Sequence, residues 1–305
     1  MVQSYFKVRK NIRMISIIIT AYKEEKTIGK AIESILENKI PCNYEILIFA
    51  PDEKTLDVAK KYSEKYKQVK AVKDEGQGKP SALNLAFTIA KGDIFILTDG
   101  DVYTSKESIK KLLEHFKNPK IGAVSGRPVS LNSRENKLGF WSHLLTDIAD
   151  KRRKKAQIIK KRFYCSGYLF AMRKGIVEKI PEETLSDDGL ISFLIHLRGY
   201  KINYEPEAKV YVKFPTNLKD WINQKRRSAG GYNQIKLWTK KDMRSFSKES
   251  LGIFQVLKYP RNLKEFFWTL ELIFIRLYLW IVIFKDINLK KKDFKKIWVR
   301  IDSTK

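Results

Sequence analysis

From residue 15 to residue 97 the chain alternates short apolar runs with stretches whose apolar side chains return every three or four positions. Residues 15–20 form a nearly unbroken run of isoleucine and threonine, and residues 27–38 then place Ile28, Ala31, Ile32 and Ile35 on one helical face. The rhythm continues with a strand over 45–49, a helix over 56–66, a strand over 69–72, a helix over 81–90 and a strand over 94–97. Strands apolar on both sides need cover on both sides. The pattern therefore predicts an α/β domain with a largely parallel sheet covered by helices on both faces. Further on, a strand is expected over 168–172, a helix over 188–197, strands over 201–204 and 208–212, and a basic helical segment over 217–240, broken or bent at Gly230-Gly231.

Composition narrows the chemistry. The chain has 61 Lys+Arg against 34 Asp+Glu, a formal net charge of +27, which favours an anionic partner. Cys42 and Cys165 are too few for a disulfide scaffold or a Cys-rich zinc module, and His115, His143 and His196 leave little for a histidine metal site. The apolar run near the N-terminus has no cleavage site, so a reducing cytosolic compartment is expected. Residues 151–162 carry eight basic residues and no acid. They read as a solvated lysine-rich helix face or loop, or as a contact for anionic headgroups or an anionic acceptor.

Residues 266–284 are apolar on every helical face, relieved only by Thr269, Glu271 and Arg276. At 1.5 Å per residue a helix of this length approaches the roughly 30 Å of a bilayer's hydrocarbon core. A simple span would carry Lys285, Lys290, Lys291, Lys292, Lys295, Lys296 and Arg300 outward, against the positive-inside tendency. The expectation is a monotopic or peripheral helix at the cytoplasmic face of the cell membrane, its lysines on anionic headgroups. A single transmembrane helix or a core-packed helix are the alternatives. Three segments follow: a basic extension over 1–13, an α/β domain over 14–245, and a membrane-associating segment over 246–305.

The densest chemistry lies in Gly92-Asp93-Ile94-Phe95-Ile96-Leu97-Thr98-Asp99-Gly100-Asp101. An apolar strand runs into Asp99 and Asp101, two carboxylates that project to the same side of an extended chain. Ligands bind at the carboxyl ends of strands in open α/β sheets, and two hard oxygen ligands there suit Mg²⁺ or Mn²⁺ shared with a diphosphate. An ordinary polar turn fits the pair equally well in isolation. Gly76-Gln77-Gly78-Lys79 precedes a helix whose N-terminus can hold phosphate, without Walker A spacing. Asp187-Asp188 marks a helix start, either as dipole partners or with one acid as a general base. Gln224…Arg227 puts cations on a helix, either as a solvated face or to stabilise a departing diphosphate.

In this order the segments resemble family 2 glycosyltransferases of the GT-A fold, over about residues 14–240. The resemblance implies a Rossmann-like mixed, mainly parallel sheet flanked by helices, and a catalytic domain over 14–245 with a nucleotide-binding half (14–102) and an acceptor half (103–245). Ala21-Tyr22-Lys23-Glu24-Glu25 is similar to the family's first turn, which implies that Ala21, Tyr22 and Glu24 line the nucleoside site. Gly78-Lys79 with Ala82 and Asn84 is similar to its Gly-Lys-x-x-Ala-x-Asn segment, placing Lys79 near the nucleotide. The resemblance puts Asp99 on the nucleotide and Asp101 on the metal. Ser166-Gly167 with Arg173 is similar to the acceptor-side segment, and Asp187-Asp188 to the acid pair whose second member is the base.

Two departures stand out. The second strand ends Ala50-Pro51-Asp52 where the family has Asp-Asp, so Asp52 reads the base only from a shifted position. Ser228 stands where processive polysaccharide synthases carry Trp after Gln-x-x-Arg, which favours addition of one sugar. The resemblance implies inverting transfer from a nucleotide-diphosphosugar to a glycan or lipid-linked acceptor, with Asp188 as base. A lipid-phosphate acceptor, such as a polyprenyl phosphate, would need no base and would use cations such as Arg127 or Arg173. A nucleic-acid-binding protein is the alternative from another class. The basic residues already have a membrane explanation and no nucleic-acid motif is recognised, so no nucleic-acid partner is expected.

Overall fold

In a computed structural model of the chain the described residues are 12–240, 253–284 and 300–304. Eight strands form one sheet in the order β3-β2-β1-β4-β7-β6-β8-β5. Its first half holds β1 (Met14–Thr20), β2 (Asn43–Ala50), β3 (Val69–Lys73) and β4 (Ile94–Asp99), all parallel. β1, β2 and β4 are buried almost throughout, as their unbroken apolar runs require. The edge strand β3 is more exposed and carries Lys70 and Lys73, charges that discourage further pairing.

Helices α1 (Ile28–Leu36), α2 (Glu53–Lys65) and α3 (Lys79–Ile89) connect these strands. α1 buries Ile28, Ala31, Ile32 and Ile35, the stripe expected of an amphipathic helix. Asp52 caps α2 by accepting the Thr55 amide. One core joins Ile17, Ile19, Ile46 and Ile48 to α1 on one face of the sheet. Another joins Ile18, Phe49, Phe95 and Leu97 to α3 on the opposite face.

The second half is antiparallel where it meets the first. It contains β5 (Val102–Thr104), α4 (Ser108–Glu114), β6 (Ile121–Ser130), α5 (Lys137–Ile158), β7 (Leu169–Arg173), α6 (Asp187–Leu197), β8 (Lys201–Val212) and α7 (Leu218–Thr239). β7 pairs antiparallel with β4 and β6, β6 pairs parallel with β8, and β5 closes the far edge antiparallel to β8. β4 and β5 are separated by two residues in the chain but by β7, β6 and β8 in the sheet. In a flat sheet four strand spacings of about 4.8 Å would part them by roughly 19 Å. The three Cα steps from Asp99 to Val102 reach at most about 11 Å. The sheet must curl.

Two local expectations are corrected. The strands expected over 201–204 and 208–212 are one strand, β8, whose pairing shifts between Ser125↔Tyr204 and Arg127↔Lys209. Pro206 cannot donate to a ladder, and a bulge accommodates it. The segment over 217–240 is the unbroken helix α7, with Gly230 and Gly231 buried rather than breaking it. The lysine-rich stretch matches its helix-face reading in part: residues 151–158 form the largely exposed end of the 22-residue helix α5, which runs to Ile158.

Beyond α7 lie α8 (Ile253–Leu257) and α9 (Leu263–Phe284). α9 packs on α5 and α7 through a third core that includes Phe140, Trp141, Trp221, Leu272 and Leu279. Trp141 Nε1 donates to the Trp268 carbonyl at 2.7 Å, and Arg134 grips both oxygens of Glu265 at 2.8 and 2.9 Å. The outer face of α9 stays exposed, with Phe267 65%, Phe274 68% and Ile281 67% accessible. Among the described residues no helix is long and apolar enough to cross a membrane. The basic extension before residue 12 and the lysines at 285–296 lie outside the described residues.

Candidate active site

β1 and β4 run parallel in register, Thr20 opposite Asp99, so their carboxyl ends deliver the turn 21–24 and the Asp99-Gly100-Asp101 turn side by side. Thr20 Oγ1 donates to Asp99 Oδ1 at 3.4 Å, and the Gly100 amide donates to the Thr20 carbonyl at 3.1 Å. A Cβ on Gly100 would stand 2.3 Å from Glu24 Oε2 and 2.8 Å from the Ala21 Cβ. Only glycine lets the two turns close on each other.

Asp52 braces the first turn from β2. Its Oδ2 accepts the Lys23 amide at 2.7 Å while Oδ1 accepts the Thr55 amide at 3.0 Å and hydroxyl at 2.8 Å. Burial opposes ionisation, but these donors hold the carboxyl below its usual range. Both oxygens of the residue expected to read a nucleotide base are thus engaged in shaping the turn.

Lys79 is the first residue of α3, entered through Gly76 and Gly78 at φ +70° and +102°. Its Nζ lies 2.6 Å from Asp99 Oδ1 and 3.2 Å from Asp187 Oδ2. Burial would depress the ammonium, but Asp187 and Asp99 hold it above the ordinary lysine value. For Asp187 burial dominates: its carboxyl is raised although Lys79 pulls the other way. Asn84 clamps α3 to the loop before α6, donating to the Ile180 carbonyl at 2.8 Å and accepting its amide at 2.9 Å.

Asp188 is fixed more tightly than its neighbour. Its Oδ1 accepts the Ser186 hydroxyl at 2.7 Å and the Gly189 amide at 2.8 Å, and its Oδ2 accepts the Gly167 amide at 3.0 Å. A Cβ on Gly167 would crowd that carboxylate at 3.2–3.4 Å.

Two residues that the sequence reading missed complete the arrangement. Burial raises the Tyr168 phenol; the carboxylates of Asp101, Asp99 and Asp188 push it further up, and Arg227 opposes them. Tyr168 therefore stands within electrostatic reach of four of the expected site residues, and Gln224 Nε2 reaches its hydroxyl at 3.5 Å. It begins the segment read as a strand, which hid it. Gln234, fully buried on α7, accepts the Leu185 amide at 2.9 Å and donates to the Glu183 carbonyl at 2.8 Å, holding the loop ahead of the acid pair. Glycine makes this approach possible, since a Cβ on Gly231 would lie 2.5 Å from the Ser186 Cβ and 2.9 Å from its amide nitrogen.

Ala21, Tyr22 and Glu24 thus border the acidic turn, and Lys79, Asp99, Asp101, Asp187, Asp188, Gly167, Gln224 and Arg227 gather at the same end of the sheet. Arg127 lies at that end on β6, 3.5 Å from Asp147 and 3.7 Å from Asp150. Arg173 does not join them. It pairs with Ile94 at the opposite end of β4 and donates to the carbonyls of Ile121 at 2.8 Å and Phe116 at 2.7 Å. A five-residue strand, about 16 Å, separates it from the acids.

Among the described residues no three His, Cys, Asp or Glu side chains form a group that could by itself hold a metal ion. Asp99 and Asp101 nevertheless suit Mg²⁺ or Mn²⁺, which take one or two carboxylates and complete their shell with water and substrate phosphate.

A profile described as Glycosyl transferase family 2 matches residues 16–181. The chain is 28% identical over 243 residues to a probable glycosyltransferase, YdaM, of Bacillus subtilis, covering 75% of this chain and 57% of that protein. It is 26% identical over 235 residues to the poly-beta-1,6-N-acetyl-D-glucosamine synthase of Staphylococcus aureus, covering 73% and 55%. The chain therefore spans little more than half the length of these relatives. Among solved structures it is similar to a mannosyltransferase from Pyrobaculum calidifontis in complex with GDP-Man and Mn²⁺, with TM-score 0.54, 21% identity and coverage of 72% and 62%. It is also similar to S. aureus TarS in complex with UDP-GlcNAc, with TM-score 0.51, 19% identity and coverage of 70% and 64%. The structural likenesses establish the GT-A type of fold, and the sequence match over more than half its length makes this chain a member of glycosyl transferase family 2.

Proposed function

We propose that the chain is an inverting glycosyltransferase that moves one sugar from a nucleotide-diphosphosugar to a glycan or lipid-linked acceptor. The observation that carries this reading is Lys79, whose ammonium joins Asp99 of the expected nucleotide and metal motif to Asp187 of the acid pair. Donor-side and acceptor-side chemistry then meet around one cation. The relatives support it in kind, since the structurally similar proteins hold GDP-Man and UDP-GlcNAc.

In this reading the turn 21–24 seats the nucleoside, with Asp52 shaping it. Asp101, with Asp99, would hold Mg²⁺ or Mn²⁺, which supplies charge neutralisation at the departing diphosphate. Lys79 and Arg227 add positive charge as negative charge grows on that leaving group. Asp188, its carboxylate oriented by Ser186, Gly189 and Gly167, takes the proton of the acceptor hydroxyl as it attacks. Inversion follows from a single displacement with acceptor and leaving group on opposite faces of the sugar.

One observation favours a second acceptor class. Both Asp188 oxygens already accept hydrogen bonds, and the basic end of α5 lies beyond Arg127 and Asp150. A polyprenyl phosphate, already anionic, would need no base there. The exposed apolar side of α9 supports work at a membrane surface, with the catalytic domain over 14–245 on the cytoplasmic side. The decisive experiment is a thermal-shift panel of nucleoside diphosphates with and without Mn²⁺. Metal-dependent stabilisation by one base is expected, and no stabilisation by any of them rejects the reading.

A further inference from the structure

The end of the chain returns to this site. Arg300 donates from Nη2 to the Lys23 carbonyl at 2.7 Å, closing a contact across 277 positions. Lys23 belongs to the turn whose Glu24 abuts Gly100, between Asp99 and Asp101. Three residues later the Ser303 amide donates to Asp220 Oδ2 at 3.0 Å, and Ser303 Oγ accepts the Thr216 amide at 3.3 Å. Asp220 lies in the first turn of α7, one turn ahead of Gln224. Ile301 and Thr304 are buried, 6% and 7% accessible, so the segment is seated rather than laid loosely on the surface. It ties the β1–α1 turn to the helix that carries Gln224 and Arg227.

The charge balance gives this strap a purpose. Glu24, Asp99, Asp101, Asp187 and Asp188 crowd one end of the sheet, and Lys79 is already engaged by two of them. Five carboxylates and an entering diphosphate carry more negative charge than Lys79, Arg227 and one divalent cation together offset. A guanidinium presents a planar fork of donors that matches phosphate oxygens. We propose that Arg300 is a donor-site residue: held at the Lys23 carbonyl and anchored through Ser303 on Asp220, it contacts the diphosphate of the nucleotide donor. The assignment rests on the nucleotide-sugar reading above and adds to it a residue from the far end of the sequence.

The test is calorimetric titration of the full chain with UDP and GDP, each with Mn²⁺, and with UMP and GMP under the same conditions. Arg300→Ala is expected to weaken the preferred diphosphate about tenfold or more and the matching monophosphate less than threefold. Arg300→Lys retains part of the affinity, because it keeps the charge and loses the fork. Asp220→Ala, which keeps the guanidinium but removes its anchor, weakens the diphosphate by a smaller factor. If Arg300→Ala proves unstable, Arg300→Gln carries the same comparison. Diphosphate affinity within twofold of the parent in the Arg300 variants overturns the assignment, as does an equal loss for mono- and diphosphate. A parent protein that binds no nucleoside diphosphate overturns the donor reading itself, and this assignment with it.

Discussion

Lys79 and Asp187 meet at 3.2 Å, although one opens α3 in the first half of the sheet and the other opens α6 in the second. The pair is a charged bridge between the two halves. Lys79→Met should lower turnover of the donor about 10²–10³-fold, the usual cost of removing one donor aimed at developing negative charge. It should also let the Asp187 carboxyl, already raised by burial, rise further, since the opposing cation is gone. The acid limb of the pH–rate profile then moves to higher pH, which steady-state rates across a pH series will show.

Asp188→Asn should abolish transfer to a hydroxyl acceptor while nucleoside diphosphate binding stays within about threefold, because the amide keeps an acceptor for Ser186 or Gly167 but cannot take a proton. Parallel assays with a hydroxyl and a polyprenyl-phosphate acceptor separate the two acceptor classes. Retained transfer to the phosphate acceptor alone would select the base-free reaction, and full activity on the hydroxyl acceptor would remove Asp188 from the mechanism.

Gly231 lies far from Asp188 in sequence yet touches its support. The Cβ of Gly231→Ala would press on Ser186, which orients Asp188. Overpacking of this kind costs about 1–3 kcal/mol of stability, and the backbone shift should reduce kcat more than KM. Thermal melts and steady-state kinetics on the same preparation test both. An unaltered kcat would show that the acid pair tolerates movement of its loop.

Arg134 and Glu265 hold α9 to the body. The hydrogen bonds from Arg134 keep the Glu265 carboxyl below its usual value of 4.5, against a smaller desolvation penalty. A carboxyl depressed in the folded state contributes stability above its unfolded value, and that contribution is lost as pH falls through the folded value. Glu265→Gln should therefore cost about 2–3 kcal/mol at pH 7, with the gap from the parent closing below pH of about 4. Urea unfolding at several pH values reads the difference directly.

The outer side of α9 gives a binding prediction. Replacing Phe267 and Phe274 together by Glu removes two apolar groups worth about 1.5–3 kcal/mol each when fully buried and adds charge. Sedimentation with vesicles rich in anionic lipid should fall at least tenfold, whereas catalysis on a soluble acceptor should not change. Vesicle binding unaffected by the double substitution would assign this face to something other than lipid.

Much of the first half was legible because both signals there are local. Continuous apolar runs and an i, i+3, i+4, i+7 stripe give β1, α1, β2 and β4 to within two residues at each end. β6 was not seen, because Gly122, Gly126 and Pro128 interrupt its pattern and its partners come from distant segments. The glycine pair in α7 misled for a related reason. Gly231 is there for a close approach to Ser186, and no helix-breaking function follows from that. The motif residues other than Arg173 come together at one end of the sheet, whereas Tyr168 and Gln234 join them through neighbours that only the folded chain supplies. Arg173 shows the converse, a residue with the expected spacing whose strand carries it to the wrong end.

The curled sheet has one more consequence, for how such a scaffold can vary. Gly100 and Asp101 alone link an interior strand to the outermost one, so the seam they form admits no slack. An insertion there would let β5 slide along β8 and swing Asp101 away, whereas longer loops elsewhere leave the carboxylates where they stand. Diversity of substrate is then expected to accumulate everywhere around this seam except within it.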